Sequence, residues 1–492
     1  MANRLDKLLD KLPAKLRAPL DQIRENEANP AKMKLKEYVS FALGELSYGS
    51  IGKLASDYLL PFYTAIGLRP NQASAIIAAT KAWDAVNDPI AATIIDNGKG
   101  KKHGRFKPYL APLIPVMALL SVLMFIRPPF HGTGMLIWCF ATYAIWETVN
   151  TFSNISFQAI GTVMSIDAQE RTLYSTIGGI GNKLSGMIPG LIPFAYDVFV
   201  GGEHDSVSFF TVCSIIFAAI GLVGIFTKNL KERVAPPKKQ EHFWDNFVTF
   251  FKNKELILLW ATDLNRFADA AQGTLFYMHA LGSMSVQGLQ WTLAGIPNFI
   301  ATALAPWFLK RFRPTRVMIG THLANCVCYF ALYFLGKAVG YKTPAGIALI
   351  LIFTVVAWIP YGIRDVAKKI LTMNTFDYTA AKTGRRAEAT SLMITNMLTK
   401  FVIAAAMLIS GYCLTYIGFQ SGSNVVQTPA TKDGLFFMFS VFPAVANIFS
   451  IIPILFFKLE GEEFEERMAE LGARNAEIRA ARAELQDEAL RR

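Results

Sequence analysis

Charge is scarce in this chain and cysteine scarcer: of 492 residues, 17% are charged, 52% are hydrophobic and five are cysteine. Soluble domains carry about 25% charged residues, so the sequence reads as an integral membrane protein. Cys139, Cys213, Cys326, Cys328 and Cys413 all fall in apolar stretches and are read as small packing residues. Cys326-Val-Cys328 lacks the spacing of a metal knuckle. No continuous apolar core opens the chain, which argues against a cleavable signal peptide. No nucleophile constellation, metal cluster or phosphate-binding loop emerges, so an enzyme is not expected. The formal net charge of +12 comes without a basic-aromatic module, and nucleic acid is not an expected partner.

What the chain does have is long apolar runs. Stretches of about 20 residues give about twelve candidate spans, near 38–66, 71–96, 109–127, 134–164, 172–200, 207–227, 257–283, 288–309, 316–337, 343–372, 387–418 and 434–457. Their length and continuity favour helices over barrel strands, and the fold expected is an all-α integral membrane protein. Lys and Arg concentrate in alternate connectors: Lys99, Lys101, Lys102, Arg105 and Lys107 after span two, Lys228 to Lys239 after span six, Lys310 to Arg316 after span eight. The connector with Glu203 and Asp205 is poor in them. By the positive-inside rule both termini are cytoplasmic and the protein lies in the cell inner membrane, its basic connectors against anionic lipid.

Residues 1–37 place Leu5, Leu8, Leu9, Leu12 and Leu16 at helical spacing between lysines, an amphipathic segment for the cytoplasmic membrane surface. Residues 38–227 and 257–458 form two six-span groups joined by a central cytoplasmic loop, 228–256, and residues 459–492 read as a charged helical tail. The groups echo each other. Arg105-Phe-Lys-Pro108 follows span two and Arg311-Phe-Arg-Pro314 follows span eight; Asp167 with Arg171 follows span four, and Asp377 with Arg385 and Arg386 follows span ten. Two such repeats form the architecture in which a site lies between rocking halves.

The spans hold more charge than packing tolerates. A carboxylate at mid-membrane costs roughly 2.5–3.5 kcal/mol on insertion scales, so such groups face cavities or partners. Asp84, Asn87 and Asp88 in span two are three and four residues apart, on one helix face, where their oxygens can converge on one small cation. Lys53 with Asp57 and Arg266 with Asp269 are spaced to neutralise each other along one helix, closing one face of a transporter without binding anything. Lys368 and Lys369 read as anchors that snorkel to headgroups. Arg364 and Lys400 lie deeper, and a cationic pair in a cavity suits a carboxylate, phosphate or dense hydroxyl group. Trp146 and His322 read as packing residues.

Trp83-Asp-Ala-Val-Asn-Asp-Pro89 followed by Gly104-Arg-Phe-Lys-Pro108 resembles the signature of the glycoside-pentoside-hexuronide:cation symporters, the melibiose permease group of the major facilitator superfamily. Looser similarity runs through Phe41-Ala-Leu-Gly-Glu-Leu46, Tyr58-Leu-Leu-Pro-Phe-Tyr-Thr64, Asn154-Ile-Ser-Phe157, Glu170-Arg-Thr172 and Phe376-Asp-Tyr378. The resemblance implies twelve transmembrane helices in two pseudo-repeats. It also implies a sodium, lithium or proton site at Asp84, Asn87, Asp88 and Thr151, with Lys400 as the span-eleven lysine near sugar and ion. The family's sugar-binding pattern has aspartates where Gly49 and Asn154 align, a tryptophan where Gln158 aligns and an arginine near Ile177, and these departures argue against galactosides. Glu45, Glu147, Asp269, Arg364 and Asp365 are the cavity residues expected instead.

The reading is therefore a cation-coupled symporter, working as a monomer without a cofactor, for a glycoside, uronide or related organic anion. Arg105, Lys107, Asp167 and Arg171, with Arg311, Asp377 and Arg385, are expected to form cytoplasmic salt bridges that hold the outward-facing state. Two other readings stand beside it: a lysolipid carrier with a Lys400 and Arg364 headgroup pocket, and a transport-inactive sensor or scaffold.

Overall fold

The computed structural model describes residues 32–97, 104–165, 167–201, 204–233, 250–251, 253–383, 388–461, 464–466, 468–470 and 473. The amphipathic segment before residue 32, most of the central loop and the tail beyond residue 473 lie outside them, as do Lys99, Lys101, Lys102, Glu203, Lys238, Lys239, Arg385 and Arg386.

Among the described residues all regular elements are helices, and they join into twelve successive rods. These are α1 (Leu35–Ala65), α2 (Pro70–Asn97), α3 (Leu113–Met124), α4 (Thr133–Val163), α5 (Ala168–Gly190 with Ile192–Phe199) and α6 (Val207–Gly221 with Leu222–Asn229). There follow α7 (Lys254–Ala261 through Phe276–Leu281), α8 (Met284–Arg311), α9 (Pro314–Val339), α10 (Pro344–Val356 with Trp358–Thr383), α11 (Glu388–Tyr416) and α12 (Pro429–Ile454). Seven rods are long and apolar enough by composition alone to cross a membrane: α3, α6, α8, α9, α10, α11 and α12. The other rods include α1, α2 and α7, which hold the buried Glu37, Asp84, Asp88 and Glu255.

The rods pack in a repeating pattern. α1 lies against α5 and α6, α2 against α4, and α3 against α4 and α6. Six rods further on, α7 lies against α11 and α12, α8 against α10, and α9 against α10 and α12. The main pairings between the first group and the second are α2 with α11 and α5 with α8. Lipid offers helices no hydrophobic drive to associate, so close approach rests on small residues. At the α5–α8 crossing a Cβ on Gly288 would stand 2.0 Å from the Gly190 carbonyl oxygen, and only glycine allows the backbones to meet there.

Four spans expected to be continuous α-helices are not, and α6 is one, turning into a 3₁₀ helix at Leu222. α5 breaks at Leu191, where Pro193 opens the next helix as its missing N–H permits. α10 breaks at Ala357, shortly before Pro360. α7 departs furthest: Thr262–Ala271 is a 3₁₀ helix, Gln272 is left-handed at φ 49°, and Phe276–Leu281 is a π turn. Asp263, Asn265 and Asp269 fall in this stretch, and such short polar side chains compete for backbone hydrogen bonds. Broken backbone at membrane depth is tolerated where it lines a cavity.

On the face away from the chain termini the two groups are tied. Gly422 N donates to Thr64 O at 2.8 Å, Ser423 Oγ to Ala65 O at 3.1 Å, and Asn424 N to Asp205 Oδ2 at 2.8 Å. Ser285 donates to Asp197 in the same layer. On the terminal face the contacts described stay within a group: Arg233 with Glu37 at 2.7 Å, Lys32 with Asp167, Thr315 with Glu460. There a cavity of about 240 Å³ opens between α7, α10 and α11, lined by Asp263, Arg266, Lys368 and Thr399 among others.

Candidate functional site

The helix face read from Asp84, Asn87 and Asp88 points into the protein, at 3%, 4% and 8% exposure. Thr151 on α4 donates its hydroxyl to Asp84 Oδ1 at 2.8 Å, so the threonine that the resemblance implied sits with the aspartates. Asn87 lies between them with a buried Nδ2 that has no partner among the described residues. The principal counter-charge comes from the other group. Lys400 Nζ on α11 lies 2.8 Å from Asp84 Oδ2 and 2.6 Å from Asp88 Oδ2, across the α2–α11 pairing.

Two carboxylates and one ammonium leave this cluster with one net negative charge. Oxygens of Asp84, Asp88, Asn87 and Thr151 make a hard donor set, suited to a small monovalent ion and equally able to share a proton. A turn away, Lys81 forms an ion pair with Glu147, which is buried, and this pair adds no net charge. Lys81 is three residues before Asp84 on the same α2 surface, so a neutral ion pair and the anionic cluster follow each other along the helix.

Other sequence-identified residues are dispersed. Glu45 is half-buried and accepts from Asn182 Nδ2 at 3.3 Å. Asn154 keeps a buried Oδ1 without a partner among the described residues, while Gln158 is exposed. Lys53 pairs with Asp57 at 2.8 Å as its spacing predicted, and its ammonium caps the Trp291 ring of α8 at 3.5 Å. Trp146 is packed, donating Nε1 to Ser121 Oγ at 2.8 Å.

The expected cationic pair of Arg364 and Lys400 does not form. Lys400 is held by the carboxylates of α2, whereas Arg364 Nη1 donates to Asn447 Oδ1 on α12 at 3.0 Å and stands 3.0 Å from His322 Nδ1 on α9. Arg266 and Asp269 form no contact ion pair either, although the 3₁₀ turn sets residues three apart on one side and keeps the two within electrostatic reach. Lys368 is no free anchor: it pairs with Asp263 of α7. Asp365 is exposed on α10 and Asp269 half-buried on α7. His322 was legible only as a packing residue and Asn447 drew no reading, because the contact that joins them spans the whole second group.

The basic and acidic set of the terminal face is locally engaged. Asp167 caps α5 through Gln169 N at 2.8 Å and pairs with Lys32. Its carboxyl is held below the usual carboxylate range by the Lys32 hydrogen bond first and the Gln169 N–H second. Arg171 donates Nε to the Ser165 carbonyl at 2.7 Å. Arg105 lies in a turn whose N–H, with that of Phe106, is accepted by Glu232 at 2.9 and 2.8 Å. Lys107 opens the short 3₁₀ turn before α3, Arg311 stacks over Trp307 at 4.8 Å, and Asp377 is exposed near the end of α10.

Twelve rods in two similarly packed groups, with an acidic pair and its lysine at the seam, define a membrane carrier of the major facilitator fold. The family described as MFS/sugar transport protein matches residues 40–461, and the chain belongs to it. That family consists of transporters and not enzymes. An uncharacterised symporter of Bacillus subtilis is 27% identical over 89% of this chain and 96% of its own. An isoprimeverose transporter of Lactiplantibacillus pentosus is 24% identical over 90% and 92%. A putative 2,3-dihydroxypropane-1-sulfonate exporter of Salmonella typhimurium is 23% identical over 92% and 99%. Among solved structures, a nucleoside transporter superposes with TM-score 0.58 at 13% identity, over 84% of this chain and 99% of that one. A D-xylose-proton symporter does so with TM-score 0.55 at 12% identity, over 84% and 96%.

Proposed function

We propose that the protein couples inward movement of one monovalent cation or proton to import of a small hydroxylated solute, by alternating access between groups 38–227 and 257–458. The observation that carries this reading is the position of Lys400. Its ammonium stands between Asp84 and Asp88 and belongs to the opposite group, so the charge state of the site and the packing of α2 on α11 are one variable.

A cation entering the Asp84, Asn87, Asp88 and Thr151 oxygens competes with that ammonium. Displacing it loosens α2 from α11 and frees Lys400 for the solute cavity, to which Glu45, Glu147, Asn154, Gln158, Asp269, Arg364 and Asp365 are assigned. Ion and solute then raise each other's affinity, as linkage requires. With termini in the cytoplasm, the tied face is periplasmic and the structure is inward-facing. Arg105, Lys107, Asp167, Arg171, Arg311, Asp377 and Arg385 would then meet across the groups only in the opposite state.

Relatives named as an isoprimeverose transporter and as a putative 2,3-dihydroxypropane-1-sulfonate exporter support a hydroxylated solute. A lysolipid headgroup pocket of Lys400 with Arg364 is disfavoured, since those two side chains have separate partners. The test is calorimetric titration of detergent-purified protein with sodium and with lithium, alongside proton release on binding. One cation per chain, or one proton, lost in both Asp84→Asn and Asp88→Asn, is the expected result. Binding unchanged in both variants would contradict the assignment.

A further inference from the structure

Arg364 is 5% exposed, and a buried guanidinium normally requires a carboxylate partner. Here its hydrogen-bond neighbours are neutral, Asn447 and His322, and it stacks on the Tyr361 ring at 4.6 Å. Arg266 has no ion pair or hydrogen bond among the described residues. Arg266, Arg364, His322, Tyr361, Asp365 and Lys368 line a single pocket. The cavity of about 240 Å³ on the terminal face shares Arg266 and Lys368 with it, so the pocket communicates with the opening.

Lys368 pairs with Asp263, and Arg266 and Arg364 have Asp365 and Asp269 within electrostatic reach. Lys183 and Lys369, which lie within reach of Asp365, bring positive charge into excess. His322 adds a polar handle. Its Nδ1 stands 2.7 Å from the Asn447 side-chain oxygen and 3.0 Å from Arg364 Nη1, so Nδ1 is engaged and Nε2 is the ring nitrogen left over. That Nε2 is buried and unpartnered among the described residues, in a side chain 1% exposed. The broken backbone of α7 delivers Arg266 to the same place.

We infer that Arg266 and Arg364 form an oxyanion site in the second group, separate from the cation cluster, which takes the acid group of a hydroxylated organic monoanion while a hydroxyl of that molecule hydrogen-bonds with His322 Nε2. The inference rests on the carrier reading and names the chemistry of its solute. A purely structural network tying α9, α10 and α12 would use His322 and Asn447 but would not place a second, unpaired arginine on the same pocket.

Calorimetry on the full chain tests it, with D-glucuronate and D-glycerate as probes and D-glucose and glycerol as their neutral counterparts. The anions should bind at least ten-fold more tightly than the neutral pair. Arg266→Gln, at an accessible side chain whose loss the fold tolerates, should weaken anion binding by ten-fold or more; Arg364→Lys, which keeps the charge and loses the fork, should weaken it less than Arg364→Gln. Neutral compounds bound as well as the anions, no anion bound at all, or an Arg266→Gln protein with unchanged anion affinity would each overturn the inference. Vesicle uptake separates the two claims: cation-driven accumulation of a neutral sugar alone overturns the oxyanion site and leaves symport standing, while anion binding without accumulation under either gradient overturns symport.

Discussion

Lys400 and Asp88 join the two helix groups by an ion pair of 2.6 Å, and the same ammonium reaches Asp84 at 2.8 Å. Breaking a buried pair by removing one partner costs about 3–5 kcal/mol, because the other charge is left without compensation. Lys400→Gln leaves two carboxylates facing each other. The variant should melt at lower temperature than wild type in choline chloride, and recover part of the loss in whichever coupling cation binds, since a ligand of the native state stabilises it by mass action. Thermal unfolding in matched choline, sodium and lithium chloride reads this directly; a variant as stable as wild type in choline would remove Lys400 from its assigned role.

Thr151 donates one 2.8 Å hydrogen bond to Asp84 and offers its oxygen to a bound ion. A hydrogen bond to a charged group contributes about 1.5–3 kcal/mol. Thr151→Val should therefore lower cation affinity by about ten-fold or more, while Thr151→Ser keeps it near wild type. Titration of the two variants side by side decides whether the hydroxyl matters.

Closure of the face away from the termini brings Ser74 of α2 against Gly411 of α11, where a Cβ on the glycine would lie 2.6 Å from the serine Cβ. Disulfides need Cβ atoms about 3.5–4.5 Å apart, so the two helices must part by about 1 Å to take one. Oxidation of the Ser74→Cys, Gly411→Cys double variant should cross-link α2 to α11 and stop solute uptake, with recovery on reduction. Cross-linked protein that still transports at the rate of its reduced form would show that this seam does not open during the cycle.

The Lys32 contact holds the Asp167 carboxyl below its ordinary range, with help from the Gln169 N–H. A depressed folded-state value means that the stabilisation is present above the unfolded carboxylate pKa of about 3.9 and is lost as pH falls through the lower folded value. The difference in melting temperature between wild type and Asp167→Asn should accordingly be constant from pH 7 to about pH 5 and shrink below about pH 4. A difference that grows on acidification would contradict the pairing.

The spans were legible because length and apolarity alone specify a membrane helix, and the cation cluster because three polar residues at helical spacing share one face. Long-range partners were not. Lys400 could be assigned to solute or to ion from sequence, and only the α2–α11 packing resolves that it holds the carboxylates. Arg364 was paired with Lys400 by depth, whereas its neighbours His322 and Asn447 come from α9 and α12. The break in α7 was hidden because its polar residues still fit a helical period, and hydropathy does not register a change from α to 3₁₀ or π hydrogen bonding.

In the proposed function Asp84 and Asp88 convert an ion gradient into solute accumulation. Uptake of labelled glycosides and sugar acids into membrane vesicles, under inward sodium or proton gradients, tests it with wild type and Asp88→Asn. Accumulation of at least one compound under one gradient, abolished in Asp88→Asn while gradient-independent exchange survives, is the expected result. Accumulation by Asp88→Asn equal to wild type would contradict it.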